Sequence, residues 1–256
     1  MKVFLVSLIP SRLCGKIFRY FATRRWRFLI RRFKSAYAID ESLAVVPEGG
    51  FPTLLDFFLR EPKPEARPLD PDANKLLTPT ESLVSQTGTV SSDEFMVVKG
   101  EACRLTDLVK KDCSAYEGGL YAVLYLSPAD FHRIYAPTDA RLVYSKLEPG
   151  AKKPVFPSYV KKHPDVFVTN QRVVMEFDTG RGRFLMCAVG ALNVGNITTR
   201  FKEGEPFEAK RGMEVAAFEF GSTVVIAFEK GRFAIEPGAQ SGSKIRLGEP
   251  LARFLA

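Results

Sequence analysis

Only two histidines, His132 and His163, occur in 256 residues, so any imidazole chemistry must run through one of them. His132 closes the run Leu126-Ser127-Pro128-Ala129-Asp130-Phe131-His132-Arg133, with Tyr135 two residues further on. Asp130 reads first as the residue capping the turn that presents His132, because aspartate bonds its own backbone in turns. His163 lies in Lys161-Lys162-His163-Pro164-Asp165, a loop composition of the kind that covers sites. Ser222 stands between Gly221 and Thr223 where two apolar runs meet, near the C-terminus. A serine hydroxyl is a weak nucleophile and needs a neighbouring base to attack a carbonyl. A serine hydrolase is disfavoured, since the G-x-S-x-G elbow is missing. Cys14, Cys103, Cys113 and Cys187 show no C-x-x-C and no metal-ligand spacing, which argues against zinc and against a disulfide framework. A reducing compartment is the default for such a chain.

These residues must be positioned by strands. From residue 73 onward short apolar runs rich in Val, Phe, Tyr and Ile alternate with turns, as in LYAVLYL, ARLVYSKL, RVVMEFDTGRGRFLMCAVGAL, MEVAAFEF and TVVIAF. Such runs bounded by Gly-containing turns predict strands, and Thr179-Gly180-Arg181-Gly182 predicts a hairpin. The expected class is α+β: a mostly-β body of many short strands, 73–256, preceded by amphipathic helices. Three hundred residues or fewer suit one such domain with an appendage. No internal repeat is present.

The charge is uneven. Residues 1–39 carry ten Lys and Arg and no acid, whereas the rest carries 27 basic and 29 acidic residues, a balance of −2. The net +8 therefore belongs to an arm, 1–46, and not to the body. Segment 11–37 predicts one helix or two in series, with Phe18, Ala22, Trp26, Leu29, Ile30, Phe33 and Tyr37 on one face. Phe21 and Phe28 widen that face, and Arg24, Arg27, Arg31 and Lys34 lie opposite. An aromatic face backed by arginines suits an anionic bilayer surface. Docking on the protein's own body is the alternative; nucleic acid is disfavoured because no RNA-binding signature accompanies the aromatics. The apolar run 3–9 is too short to span a membrane and lacks a small-residue cleavage site, so it reads as neither anchor nor signal peptide. An Arg-rich, acid-free start also fits a mitochondrial transit peptide. Residues 47–53 break the arm, LLDFFLRE at 54–61 predicts a short helix, and the Pro-rich stretch 62–72 completes a linker, 47–72.

Five pieces in order make a family resemblance covering about 67–255: ARPLDPD with LLTPTESLVSQTG, VVKG at 97–100, YLSPADFHRIYAP at 125–137, VGALNVGNI at 189–197, and Gly221-Ser222-Thr223. Together they resemble the pyruvoyl-dependent phosphatidylserine decarboxylases. The resemblance implies self-cleavage between Gly221 and Ser222, giving a β chain of 1–221 and an α chain of 222–256 that stay together as a heterodimer, or a dimer of heterodimers. It implies a covalent pyruvoyl cofactor made from Ser222, which accepts phosphatidylserine and yields phosphatidylethanolamine and CO₂. It places His132 near the substrate carboxylate, as the group returning a proton after decarboxylation. The family's processing aspartate and histidine correspond to Glu81, in Pro79-Thr80-Glu81-Ser82, and to Tyr135. Glu81 keeps the charge, whereas a phenol with a reference pKa near 10 is a poor base at neutral pH. With His132 three residues from Tyr135, a strand would turn the two to opposite faces. The expectation is a peripheral membrane enzyme on the cytoplasmic face of a bacterial inner membrane. The alternative is a catalytically silent homologue that keeps the fold and the arm to bind lipid or a partner.

Overall fold

A computed structural model describes residues 20–98, 101–191, 196–219 and 221–255. The apolar run 3–9, Cys14, Phe18, Phe220 and the middle of VGALNVGNI lie outside the described residues, as does the end of VVKG.

The body is built on strands β1 (Lys75–Leu77), β2 (Ser82–Thr89), β3 (Glu94–Val98), β4 (Glu101–Arg104), β5 (Leu120–Leu126), β6 (Arg133–Tyr135), β7 (Ala140–Glu148) and β8 (Arg172–Asp178). There follow β9 (Arg183–Gly190), β10 (Ile197–Thr199), β11 (Phe207–Ala209), β12 (Glu214–Phe218), β13 (Ser222–Phe228), β14 (Phe233–Ile235), β15 (Lys244–Ile245) and β16 (Pro250–Phe254). Eight of them form one antiparallel sheet in the order β11-β7-β8-β9-β13-β5-β2-β15, and β10-β12-β6 and β1-β16-β14 form two smaller sheets. The class is α+β with a dominant antiparallel core, as the alternation of short apolar runs predicts.

β13 lies at the centre, with Ser222 paired to Gly190 on one side and to Leu126 on the other. Every residue of β13 is buried, so its sequence STVVIAF is a continuous apolar run, since both of its faces are covered. The β8–β9 hairpin turns at Thr179–Gly182, where the Gly180 N–H donates to Asp178 Oδ1 at 2.8 Å.

Two helices precede the sheets. Helix α1 (Arg27–Tyr37) is separated from helical residues 20–22 by a break at 23–26, so the described part of the arm is not one continuous helix. The break resets the helical phase, and the expected single apolar face is divided. Ala22, Ile30 and the half-buried Leu29 and Phe33 pack on Phe51, Leu54, Phe57 and Phe58, while Tyr20, Phe21, Trp26, Phe28 and Tyr37 remain exposed. Helix α2 (Leu54–Phe58) starts at a capping box: Thr53 Oγ1 accepts from the Asp56 N–H, and Asp56 Oδ2 accepts from the Thr53 N–H. The Pro-rich stretch after it is laid along the body, with the Asp70 N–H bonded to the Gly248 carbonyl and Arg211 Nη1 donating to the Asp70 carbonyl.

Candidate active site

Two loops are stitched together at both ends. Leu126 at the end of β5 pairs with Ser222 at the start of β13. Beyond the turn 127–131, the His132 carbonyl accepts from the Phe218 N–H at 2.9 Å, and β6 and β12 then pair through Arg133 and Ala217. The chain therefore crosses between the same two sheets twice, from β5 to β6 and back from β12 to β13, with Ser222 at the large-sheet end and His132 at the small-sheet end. Asp130 caps its turn from both sides: its Oδ2 accepts from the Ser127 N–H at 2.7 Å, and its own N–H donates to the Ser127 carbonyl at 3.0 Å. Burial pushes the Asp130 carboxyl above its ordinary range, and the bonds to Ser127 act against that shift.

Ser222 is fully buried and its Oγ has no hydrogen-bond partner among the described residues. Gly221 before it has φ of +37°, the left-handed region that glycine enters without strain. Space is not the reason for glycine there, because a Cβ would meet only the Ala191 Cβ at 3.9 Å. The backbone angle is.

His132 precedes β6, so strand alternation does not govern it, and the expected opposition to Tyr135 does not arise from the pleat. Its Nδ1 lies 2.9 Å from the Asp130 carbonyl. A carbonyl can only accept, so Nδ1 carries the proton and Nε2 the lone pair. Nε2 is buried and without a partner. Burial pulls the imidazole pKa down to about 3; the bond to the Asp130 backbone opposes this and the charge of Arg60 adds to it. The Phe58 ring covers the imidazole, with ring centroids 3.9 Å apart. His132 is thus a neutral imidazole with an available lone pair, the protonation state of a base.

Tyr135 and Glu81 are placed elsewhere. The Tyr135 hydroxyl is buried with no partner, and burial raises its pKa above the ordinary phenol value, so it remains protonated. It lines a cavity of about 430 Å³ with Pro62, Arg67, Leu77, Gly212 and Leu247. Glu81 is held by Arg67 in a two-pronged pair, Nε to Oε2 at 2.6 Å and Nη2 to Oε1 at 3.0 Å. That bond raises the Arg67 pKa. No hydrogen bond joins Glu81 to Tyr135, His132 or Ser222 among the described residues. His163 is exposed and rests against the Tyr159 ring at 4.5 Å.

Buried polar atoms are almost always bonded in folded proteins. Here the unpartnered ones include Arg60 Nε, Thr80 Oγ1, His132 Nε2, Tyr135 Oη, Ser222 Oγ and Thr223 Oγ1. Two further atoms without a hydrogen bond, Glu148 Oε1 and Arg211 Nε, lie in other segments. Arg60, Phe58 and Thr80 were not evident from the sequence. The first two sit in LLDFFLRE, where helical pattern alone shows a core face; their contacts with 129–132 are made across some seventy residues, as the 69 between Arg60 and Ala129 shows.

Comparison with known proteins shows the family. The family model for phosphatidylserine decarboxylase matches residues 54–253. A phosphatidylserine decarboxylase proenzyme of Methylibium petroleiphilum is 34% identical over 98% of this chain and 97% of its own. The proenzyme of Bordetella avium is 34% identical over 88% of this chain and 83% of its own, and that of Hahella chejuensis 32% over 99% and 94%.

Proposed function

Because the chain belongs to the phosphatidylserine decarboxylase family, we propose that it decarboxylates phosphatidylserine to phosphatidylethanolamine by way of a pyruvoyl group made from Ser222. The observation that carries this reading is the pair of buried, unpartnered atoms, Ser222 Oγ and His132 Nε2, on two loops bonded to each other at both ends. In self-processing, His132 Nε2 takes the proton of Ser222 Oγ as that oxygen attacks the Gly221 carbonyl, and hands it to the Ser222 nitrogen as the peptide C–N bond breaks, so the acyl group moves from nitrogen to oxygen. β-Elimination then gives up the Ser222 Cα proton to a base, expels residues 1–221 as a carboxylate and leaves a dehydroalanine at 222. Its hydrolysis releases ammonia and leaves the pyruvoyl group.

The site fits that group: the Ser222 hydroxyl makes no hydrogen bond among the described residues that its loss would break, and Gly221 takes a positive φ that glycine enters most readily. When formed, the group supplies an electron sink for the carbanion that remains after CO₂ leaves. His132 relays a proton from water to the substrate carbon. Tyr135, kept protonated by burial, takes no proton. Arg and aromatic residues of the arm bring the body to an anionic bilayer as a peripheral protein, on the cytoplasmic side of a bacterial membrane. No helix of the described residues is long and apolar enough to cross one. The two chains remain associated as a heterodimer.

A second reading is favoured by Glu81 and Tyr135. With the carboxylate engaged by Arg67 and the phenol unable to accept a proton, the family's processing pair is not assembled. A silent, lipid-binding homologue would follow. Denaturing mass spectrometry of the purified chain separates the two. Cleavage after Gly221, with a ketone-reactive, blocked N-terminus at 222 and no cleavage in Ser222→Ala, is the expected result. An intact chain after days with phosphatidylserine vesicles overturns the first reading.

A further inference from the structure

Arg60 is an arginine sunk into the protein, 3% exposed, and its guanidinium is spent on carbonyl oxygens. Nη1 donates to the Phe57 carbonyl at 3.4 Å, and Nη2 donates to the carbonyls of Ala129 and, at 3.3 Å, Asp130. The Phe57 and Phe131 rings lie 5.1 and 4.9 Å from its carbon centre. Burial lowers its pKa to about 10, which leaves it charged at neutral pH. The Asp130 carbonyl is the same one that faces His132 Nδ1 at 2.9 Å. That oxygen has two lone pairs, one for the guanidinium and one for the imidazole N–H. The segment carrying Arg60 also supplies the Phe58 ring over the imidazole and the Leu59 carbonyl, which accepts from Arg133 Nε at 2.8 Å. Three consecutive residues thus grip the turn on both sides of His132.

We propose that Arg60 is a positioning residue for His132: by holding the Ala129 and Asp130 carbonyls it keeps the imidazole proton on Nδ1 and the Nε2 lone pair free. The inference rests on the proposed function only in naming Ser222 as the group that this lone pair serves. A neutral residue at 60 deprives the half-buried Ala129 carbonyl of its charged donor, and such a group recruits water or rearranges. The turn then loosens, and the ring gains access to the other tautomer. The charged groups around the imidazole are Arg60 after α2, the Asp130 carboxylate on its own turn, and the Glu81–Arg67 pair at the entry to β2, with Lys244 of β15 beyond Asp130. Removing the Arg60 cation and admitting water both favour the imidazolium, so the His132 pKa rises. A rate that needs the neutral imidazole falls as pH drops through that pKa, and its acid limb moves to higher pH.

The test uses the full chain labelled with ¹⁵N-histidine, in which only His132 and His163 give ring signals. The parent should show His132 as one tautomer, protonated at Nδ1, with its signals unchanged down to about pH 5, inside the range where an ordinary histidine titrates. Arg60→Gln should show both tautomers and about tenfold more imidazolium at a given pH, equivalent to one pKa unit. Its self-cleavage rate should lose activity on the acid side about one unit earlier. Arg60→Lys, which keeps the charge but not the fork, should show the tautomer mixture with a smaller pH displacement. Unchanged His132 signals in a folded Arg60→Gln protein overturn the proposal, even where the cleavage rate falls. If Arg60→Gln does not fold, unchanged signals in Arg60→Lys overturn it equally. Absence of cleavage in the parent refutes the proposed function, while the ring signals still decide the role of Arg60.

Discussion

Tyr135 is the residue at which chemistry and packing diverge. Its hydroxyl is buried with no partner among the described residues, at a position where the resemblance implies a histidine. A buried hydroxyl without a hydrogen bond costs roughly 1–3 kcal/mol of desolvation, so deleting it is expected to be neutral or stabilising. In a Ser222→Ala background, which keeps the chain uncut, Tyr135→Phe should melt no lower than its parent and gain up to about 1 kcal/mol. A clear loss of melting temperature would mean that the hydroxyl has a partner in solution, such as water in the adjoining cavity. Tyr135→His restores a group with a reference pKa near 6.5, able to accept a proton at neutral pH. Because Glu81 stays with Arg67, that imidazole lacks an orienting carboxylate, and the expected acceleration of cleavage is on the order of tenfold, a modest general-base gain. No acceleration, measured by appearance of the 222–256 fragment, would place the base wholly at His132. The sequence alone raises the question of Tyr135, through the resemblance that implies a histidine there. It could not show that Arg67 captures Glu81, because that pair depends on how the Pro-rich stretch folds back.

At the scale of elements, the arm illustrates what periodicity resolves and what it loses. Spacing of apolar residues marked 11–37 as helical, and the described part is helical on both sides of 23–26. A single phase run through that break assigns Trp26 to the face of Ile30, although Ile30 is buried against α2 and Trp26 is exposed. Docking takes Ala22, Ile30 and Phe33, and leaves Phe21, Trp26 and Phe28 in a surface cluster, with ring centroids 5.2 and 6.0 Å apart. Both alternatives raised for the arm therefore have residues of their own. Trp26 is the sole tryptophan of the chain, so its fluorescence reports this cluster alone. Phosphatidylserine-containing vesicles should shift its emission to the blue, and neutral vesicles should shift it less, since each nearby cation contributes about 1 kcal/mol at an anionic surface. Phe28→Ser should weaken vesicle binding without lowering the melting temperature. An unshifted emission maximum at saturating anionic lipid would remove the bilayer from the account of the arm.

For the whole molecule, the consequence of cutting at Gly221–Ser222 follows from sheet order, which no local pattern reveals. Individual strands were legible because TVVIAF or LYAVLYL can hardly be anything but buried strand. Their neighbours were not, since β13 joins β9 and β5, β15 joins β2, and β16 joins β1, all across long stretches of chain. After a cut the fragment 222–256 still supplies a central strand of the eight-stranded sheet, an edge strand beside β2, and two of the three strands in β1-β16-β14. Its apolar residues Val224 to Phe228 are buried on both faces, and leaving would expose them together with two rows of ladder hydrogen bonds. Burial of five such side chains amounts to roughly 1.5–3 kcal/mol for each large one, far beyond what the entropy of a free 35-residue chain returns at working concentrations. The cut chains should therefore co-elute through size exclusion at nanomolar concentration and separate only in denaturant. The cut leaves β13 between its two neighbours, so processing should change the melting temperature little relative to Ser222→Ala. Spontaneous loss of the small chain in native buffer would mean that β13 is held less by its two neighbours than by the peptide bond that precedes it.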